Sequence, residues 1–130
     1  MPSETTVDRY LEALDAQDWA ALPDLLAEDV YRMGPYRDVV EGREAYATFL
    51  EGAITPLERY RLIVERIDAV PDPAAPGPRF WVRLSENFDV GEDRMRAEEA
   101  LEFHLDAEGR IAYVAVFLQQ TERSGPAGEG

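Results

Sequence analysis

The 130 residues carry a formal net charge of −14, with 45% hydrophobic and 31% charged side chains and no cysteine. That charge argues against nucleic acid or an anionic membrane as partner, because both repel a negative surface. The lack of cysteine excludes a disulfide, a thiolate nucleophile and a thiolate metal site.

The opening MPSETTVDRY has neither a basic nor an apolar signal region, and no apolar run approaches the ~20 residues of a membrane span. A cytoplasmic protein is the expectation. Val7, Tyr10, Leu11 and Leu14 recur at helical spacing, which predicts a helix from Glu4 to Ala16. Asp18 is a candidate N-cap for a second helix carrying Leu22, Leu25 and Leu26, kinked or restarted at Pro23. Val30 and Tyr31 begin a short extended piece, and Met33-Gly34-Pro35-Tyr36 forms a loop. Gly42 precedes a third helix from Arg43 to about Ala53, with Ala45, Tyr46, Phe49 and Leu50 on one face.

From Tyr60 the hydrophobic period changes to two. Strands are predicted at Arg61–Val70, Arg79–Val90, Arg94–Leu105 and Arg110–Leu118, with the proline-rich PDPAAPGP as the first connection. Helices followed by a run of strands define an α+β domain over residues 1–120, with the helices against one face of a curved antiparallel sheet. Residues 121–130, TERSGPAGEG, hold three glycines and no large apolar group, so a fraying tail is expected. His104 is the only histidine, and a lone histidine builds no metal site. No cofactor is implied.

Four phrases in order resemble the SnoaL-like branch of the nuclear transport factor 2 superfamily: Arg9–Trp19, Leu25–Val30, Glu41–Tyr46 and Asp106–Ile111. The resemblance implies a cone-shaped sheet wrapped around three N-terminal helices, enclosing a pocket for a hydrophobic small molecule. It implies chemistry only through relatives. Against the ketosteroid isomerase pattern Tyr10 matches the oxyanion-hole tyrosine, but the two acids fall near Gly34 and Leu101. Against limonene epoxide hydrolase Tyr31 and Asp89 match, while Met33 replaces an asparagine, Asn87 an arginine and Val116 an aspartate. Against the polyketide cyclase the last strand has no acid, which leaves Glu99 on a neighbouring strand.

Strand alternation sorts the remaining residues. If the Asp89 match holds, Trp81, Arg83, Ser85, Asn87 and Asp89 face the pocket. Phe80, Val82, Leu84, Glu86 and Phe88 then form an outer face, joined by Tyr113, Ala115 and Phe117, that a homodimer would cover. In the alternative, Phe80, Val82 and Leu84 pack under the helices and the polar stripe meets solvent. Glu99 shares its face with Ala97, Leu101, Phe103 and Leu105, so burial would raise its pKa and suit it to acid/base work.

The candidate catalytic set is therefore Asp89, Glu99, Tyr31 and Tyr10, with Trp81, Arg83, Asn87, Met33, Tyr36, Phe103 and Val116 around a ligand. The expected function is cofactor-free isomerisation, cyclisation or epoxide opening on a hydrophobic metabolite; the alternative is a non-catalytic ligand-binding or dimeric scaffold protein. Arginine without any lysine suggests a bacterial source with a high-GC genome.

Overall fold

A computed structural model describes residues 4–128. Helix α1 (Glu4–Ala16) is followed by two short 3-10 turns, Trp19–Ala21 and Pro23–Leu25, then by β1 (Leu26–Met33) and β2 (Val39–Glu41). Helix α2 (Arg43–Ile54) leads into β3 (Glu58–Val70), β4 (Arg79–Val90), β5 (Asp93–Leu105) and β6 (Ile111–Pro126). The strands form one curved, unclosed six-stranded sheet in the order β2-β1-β6-β5-β4-β3. The chain is thus α+β, as expected, and no helix among the described residues is long and apolar enough to cross a membrane.

Four details correct the sequence reading. The second helix is replaced by the two 3-10 turns, since Pro23 cannot donate a backbone hydrogen bond and Asp18 makes no side-chain cap. The sheet is mixed rather than antiparallel, because β1 pairs with β6 in parallel. β2 is a three-residue strand held to β1 by Tyr31↔Glu41 through Met33↔Val39. Residues 121–126 continue β6 instead of starting a tail: Thr121 pairs with Ala97, Arg123 with Met95 and Pro126 with Asp93. The weakly apolar segment is held by its backbone pairing to the long β5.

The sheet folds one face over the helices. Val7, Tyr10, Leu11 and Leu14 of α1 are buried against Phe80, Val82, Leu84, Leu101, Phe103 and Val114. Each such burial contributes roughly 1.5–3 kcal/mol. Asp15 ties α1 to the edge strand by accepting the Leu62 N–H at 2.8 Å.

Two glycines test backbone demands of opposite kind. A Cβ on Gly77 would lie 2.4 Å from the Leu105 carbonyl oxygen and 2.5 Å from that of Asp106, so Gly77→Ala should destabilise by about 1–3 kcal/mol. Gly52 is exposed inside α2 with nothing near its missing Cβ, so Gly52→Ala should stabilise by about 0.5–1 kcal/mol. Urea unfolding of both variants checks the pair; equal effects would contradict this packing.

Candidate functional site

A cavity of about 170 Å³ lies between the helices and the inner sheet face. α1 contributes Tyr10 and Leu14, β1 contributes Arg32, and α2 contributes Tyr46, Phe49, Leu50, Ala53 and Ile54. The strands contribute Glu86, Glu99, Leu101 and Val116, and Pro35 and Leu57 complete the wall. The lining is mostly apolar, with a few polar groups converging on it, the usual make-up of a small-molecule site.

The polar groups arise from strand phase. Glu86 follows Phe80, Val82 and Leu84 on the inward face of β4, and Glu99 precedes Leu101 and Phe103 on that of β5. Leu84 pairs directly with Glu99 and Glu86 with Ala97, so the two carboxylates sit diagonally across adjacent strands. Both pKa values are raised. For Glu99, burial and then the negative charge of Glu86 push it up to about 9, against the pull of Arg32. For Glu86, burial outweighs the opposing influence of Glu99, Tyr60 and Arg32. The two behave as one unit that retains a proton through neutral pH.

Opposite them the Tyr10 and Tyr46 hydroxyls share a short hydrogen bond. Burial, above all, raises both pKa values, that of Tyr46 to about 12, so both remain neutral hydroxyls at physiological pH. Arg32 is the cation of the cavity. Its Nη1 donates to Asp38 Oδ2 at 2.6 Å, and its guanidinium carbon lies 4.5 Å from the Phe49 ring centroid. Its Nε is buried and meets no partner among the described residues. Gly34 makes room for this ion pair, since a Cβ there would come within 2.6 Å of both Asp38 and Arg32 side-chain atoms.

Of the residues proposed from sequence, the structure brings Tyr10, Glu99 and Val116 into this cavity, with Phe103 packed edge-on against Tyr10 at 5.5 Å. It places the others elsewhere. Tyr31 stacks on Tyr113 at 5.9 Å on the outer face, and Trp81 packs on Phe117 at 5.7 Å there. Met33 follows Tyr31's side of β1, opposite Ala115. Tyr36 is 80% exposed on its turn. Arg83 is exposed on the outer face, where Asn87 donates to Ser85 Oγ at 3.0 Å.

Asp89 is a buried ion-pair residue rather than an acid of the cavity. Its Oδ1 lies 3.2 Å from Arg94 Nη1 and its Oδ2 accepts the Gly128 N–H at 3.2 Å. Burial acts to raise its pKa, but these partners and Arg59 outweigh it and hold the carboxyl below its ordinary value.

The expected face of β4 is therefore inverted: Phe80, Val82 and Leu84 lie under the helices as in the alternative, but Ser85, Asn87 and Asp89 on the other face are buried rather than solvent-facing. Burying Phe80, Val82 and Leu84 outweighs any preference of Asp89 for the interior. The sequence reading missed Glu86, Arg32 and Tyr46. The signal for Glu86 was present: a carboxylate in phase with Phe80, Val82 and Leu84, the same pattern that singled out Glu99.

A curved sheet closed over helices, with an acid pair in a small apolar cavity, defines a cone-shaped α+β pocket architecture. Residues 7–114 match the SnoaL-like domain, and the chain belongs to that family. No curated protein matches the sequence. The fold is similar to that of an LEH-like epoxide hydrolase of M. tuberculosis, at TM-score 0.72 and 19% identity over 90% of this chain and 82% of that one. It is similar to the epoxide hydrolase/cyclase-like enzyme SalBIII of pyran ring formation in polyether salinomycin, at TM-score 0.78 and 20% identity over 93% and 95%. It is also similar to the Anabaena (Nostoc) Orange Carotenoid Protein binding canthaxanthin, at TM-score 0.66 and 24% identity over 87% of this chain and 35% of that one. Likeness at these identities establishes the fold alone.

The raised pKa of Glu99 makes a signed prediction. Between the ordinary carboxylate range and about pH 9 the folded state binds more protons at this site than the unfolded chain, so this contribution to stability falls as pH rises. Glu99→Gln should match wild type near pH 4 and exceed it by about 1–3 kcal/mol at pH 9. Thermal melts of both proteins across that range check it; a constant difference would show that Glu99 titrates normally.

Proposed function

We propose that this chain is a cofactor-free acid/base enzyme that isomerises, cyclises or opens an epoxide of a small, neutral, largely apolar molecule. The observation that carries the reading is the Glu86–Glu99 pair in a cavity otherwise lined by apolar side chains, two tyrosines and Arg32. A pair holding one proton offers a base and an acid together. The ionised carboxylate takes a proton from a carbon, a hydroxyl or a water, while the protonated one gives its own to the oxygen that gains electron density. The proton count of the pair is unchanged over the cycle. Tyr10 or Tyr46 donates to a substrate oxygen, and Arg32 stabilises developing negative charge.

The volume of about 170 Å³ is below the 300–1,000 Å³ of typical ligand pockets. The cavity as it stands takes the reacting end of a substrate. Phe49, Ala53, Leu57 and Pro35, each at least partly exposed, form the rim across which the remainder would lie. Incubation with terminal and hydroxy-substituted epoxides and with unsaturated ketones, followed by proton NMR, tests the reading. Glu86→Gln and Glu99→Gln should each reduce turnover by roughly 10²–10⁴-fold. Turnover that survives both substitutions would sink the acid/base assignment; binding without turnover in the wild type would leave a ligand-binding protein.

We also propose that a second copy of this chain covers the outer sheet face. The support is an aromatic surface in which Trp81 meets Phe117, and Tyr113 meets both Tyr31 and His104, with Phe117 41% exposed. This surface replaces the Phe80–Val82–Leu84 face anticipated from sequence. Analytical ultracentrifugation should show a dimer that Phe117→Glu converts to monomer without loss of helix and strand signal. A monomeric wild type at high micromolar concentration would refute it.

A further inference from the structure

We propose that Tyr60 is a positioning residue for the Glu86–Glu99 pair, aimed at it by a β-bulge that the Asp89–Arg94 ion pair clamps. The inference rests on the acid/base reading above and assigns the part that orients the pair.

The bulge is visible in the register. Glu58 pairs with Asp89 and the next matched pair is Arg61 with Asn87, so β3 fits one more residue than β4 into the same interval. Arg59 lies in that interval with φ 52°, a left-handed conformation that residues other than glycine seldom adopt. The surrounding contacts hold it there. Arg94 Nη1 donates to the Arg59 carbonyl oxygen at 2.7 Å and also reaches Asp89 Oδ1 at 3.2 Å. Asp89 Oδ2 lies 3.5 Å from Arg59 Nη1 and accepts the Gly128 N–H. A buried ion pair stabilises only when its remaining donors and acceptors are engaged. Here they engage the bulge and the end of β6.

The bulge sets the phase of the next residues of β3. Tyr60 and Leu62 are buried, while Arg59 and Arg61 are exposed. Leu62 pairs with Glu86, so Tyr60 stands diagonal to Glu86, within the reach of a long side chain. The Tyr60 hydroxyl is buried and has no hydrogen-bond partner among the described residues. Burial and then the charges of Glu86, Glu99 and Asp15 keep it protonated, and it in turn favours the ionised form of Glu86. A buried hydroxyl without an acceptor is costly; an ionised Glu86 supplies one.

Tyr60 is outside the cavity lining, so it acts through Glu86 and does not touch substrate. The other polar groups around the pair are Tyr10 from α1, Arg32 from β1 and Tyr46 from α2; β6 contributes the apolar Val116. Among these Tyr60 alone comes from β3, the strand on the other side of β4. A hydrogen bond from Tyr60 to ionised Glu86 would add to the contact with Glu99 in favouring ionisation of Glu86, with the retained proton on Glu99.

The test is a carbon-13 carboxyl NMR titration of the full chain. In wild type two glutamates should titrate above the ordinary range. Tyr60→Phe keeps the ring and removes the donor, and should raise the lower apparent pKa of the pair by about one unit, a tenfold change in its dissociation constant. Arg59→Gly accepts the positive φ and should leave the titration unchanged. Arg59→Val and Asp89→Asn should shift it in the direction of Tyr60→Phe. A pair that titrates identically in wild type and Tyr60→Phe overturns the inference. A wild type without raised glutamates removes the acid/base reading and this inference with it. Should Arg59→Val or Asp89→Asn fail to fold, Tyr60→Phe decides alone.

Discussion

The inward packing of Phe80, Val82 and Leu84 beneath α1 fixes the direction of every side chain in the centre of the sheet. A strand alternates with period two, so one choice of face is a choice for all its residues. Three large apolar groups at roughly 1.5–3 kcal/mol each outweigh what one polar residue can contribute by pointing inward. β5 and β6 take their direction by pairing. Phe103 lies opposite Phe80, Leu101 opposite Val82, and Val114 opposite Phe103. The same choice carries Glu86 and Glu99 into the interior and sends Asp89, Asn87 and Trp81 to the other side.

Placing two carboxylates in one apolar cavity opposes folding twice, through desolvation and through like-charge repulsion. The fold meets this with one proton and three kinds of neighbour. Arg32 supplies positive charge, itself restrained by Asp38 and Phe49. Tyr10 and Tyr46 supply donors that do not ionise. The buried Tyr60 hydroxyl, diagonal to Glu86 on the neighbouring strand, is the donor proposed to complete the set. The remaining cost is stability given up at the cavity, which packing elsewhere offsets.

The architecture was largely legible because strong periodicity is a local signal. β4 spans Arg79–Val90 as expected, and β5 begins one residue earlier, at Asp93. The illegible parts depended on partners distant in sequence. β2 is three residues long and exists by virtue of β1. Residues 121–126 are a strand because β5 is long enough to pair with them. Arg32 and Tyr46 became site residues only when β1 and α2 were set against the sheet. The polarity of β4 is a different case: the motif match at Asp89 and the apolar alternation of Phe80, Val82 and Leu84 point to opposite faces, and the alternation prevails.

The incomplete matches to characterised relatives have a simple spatial explanation. Leu101 and Val116, where the family resemblance leads one to expect acids, stand in the cavity wall, and Gly34 lies beside it, packed against Arg32. The acids of this chain enter the same space from neighbouring inward positions: Glu99 is two residues from Leu101 on β5, and Glu86 lies across from Ala97 on β4. Any inward position along these strands can deliver a carboxylate to the cavity, because a step of two residues moves a side chain only ~7 Å along the same face. The constraint on chemistry in such a pocket is therefore which face a residue occupies and what lies within reach of it. A position in an aligned motif is a weaker guide. By that criterion Asp89, whose neighbours match the epoxide hydrolase segment, belongs to the clamp at the sheet margin, and the carboxylates that reach the cavity are Glu86 and Glu99.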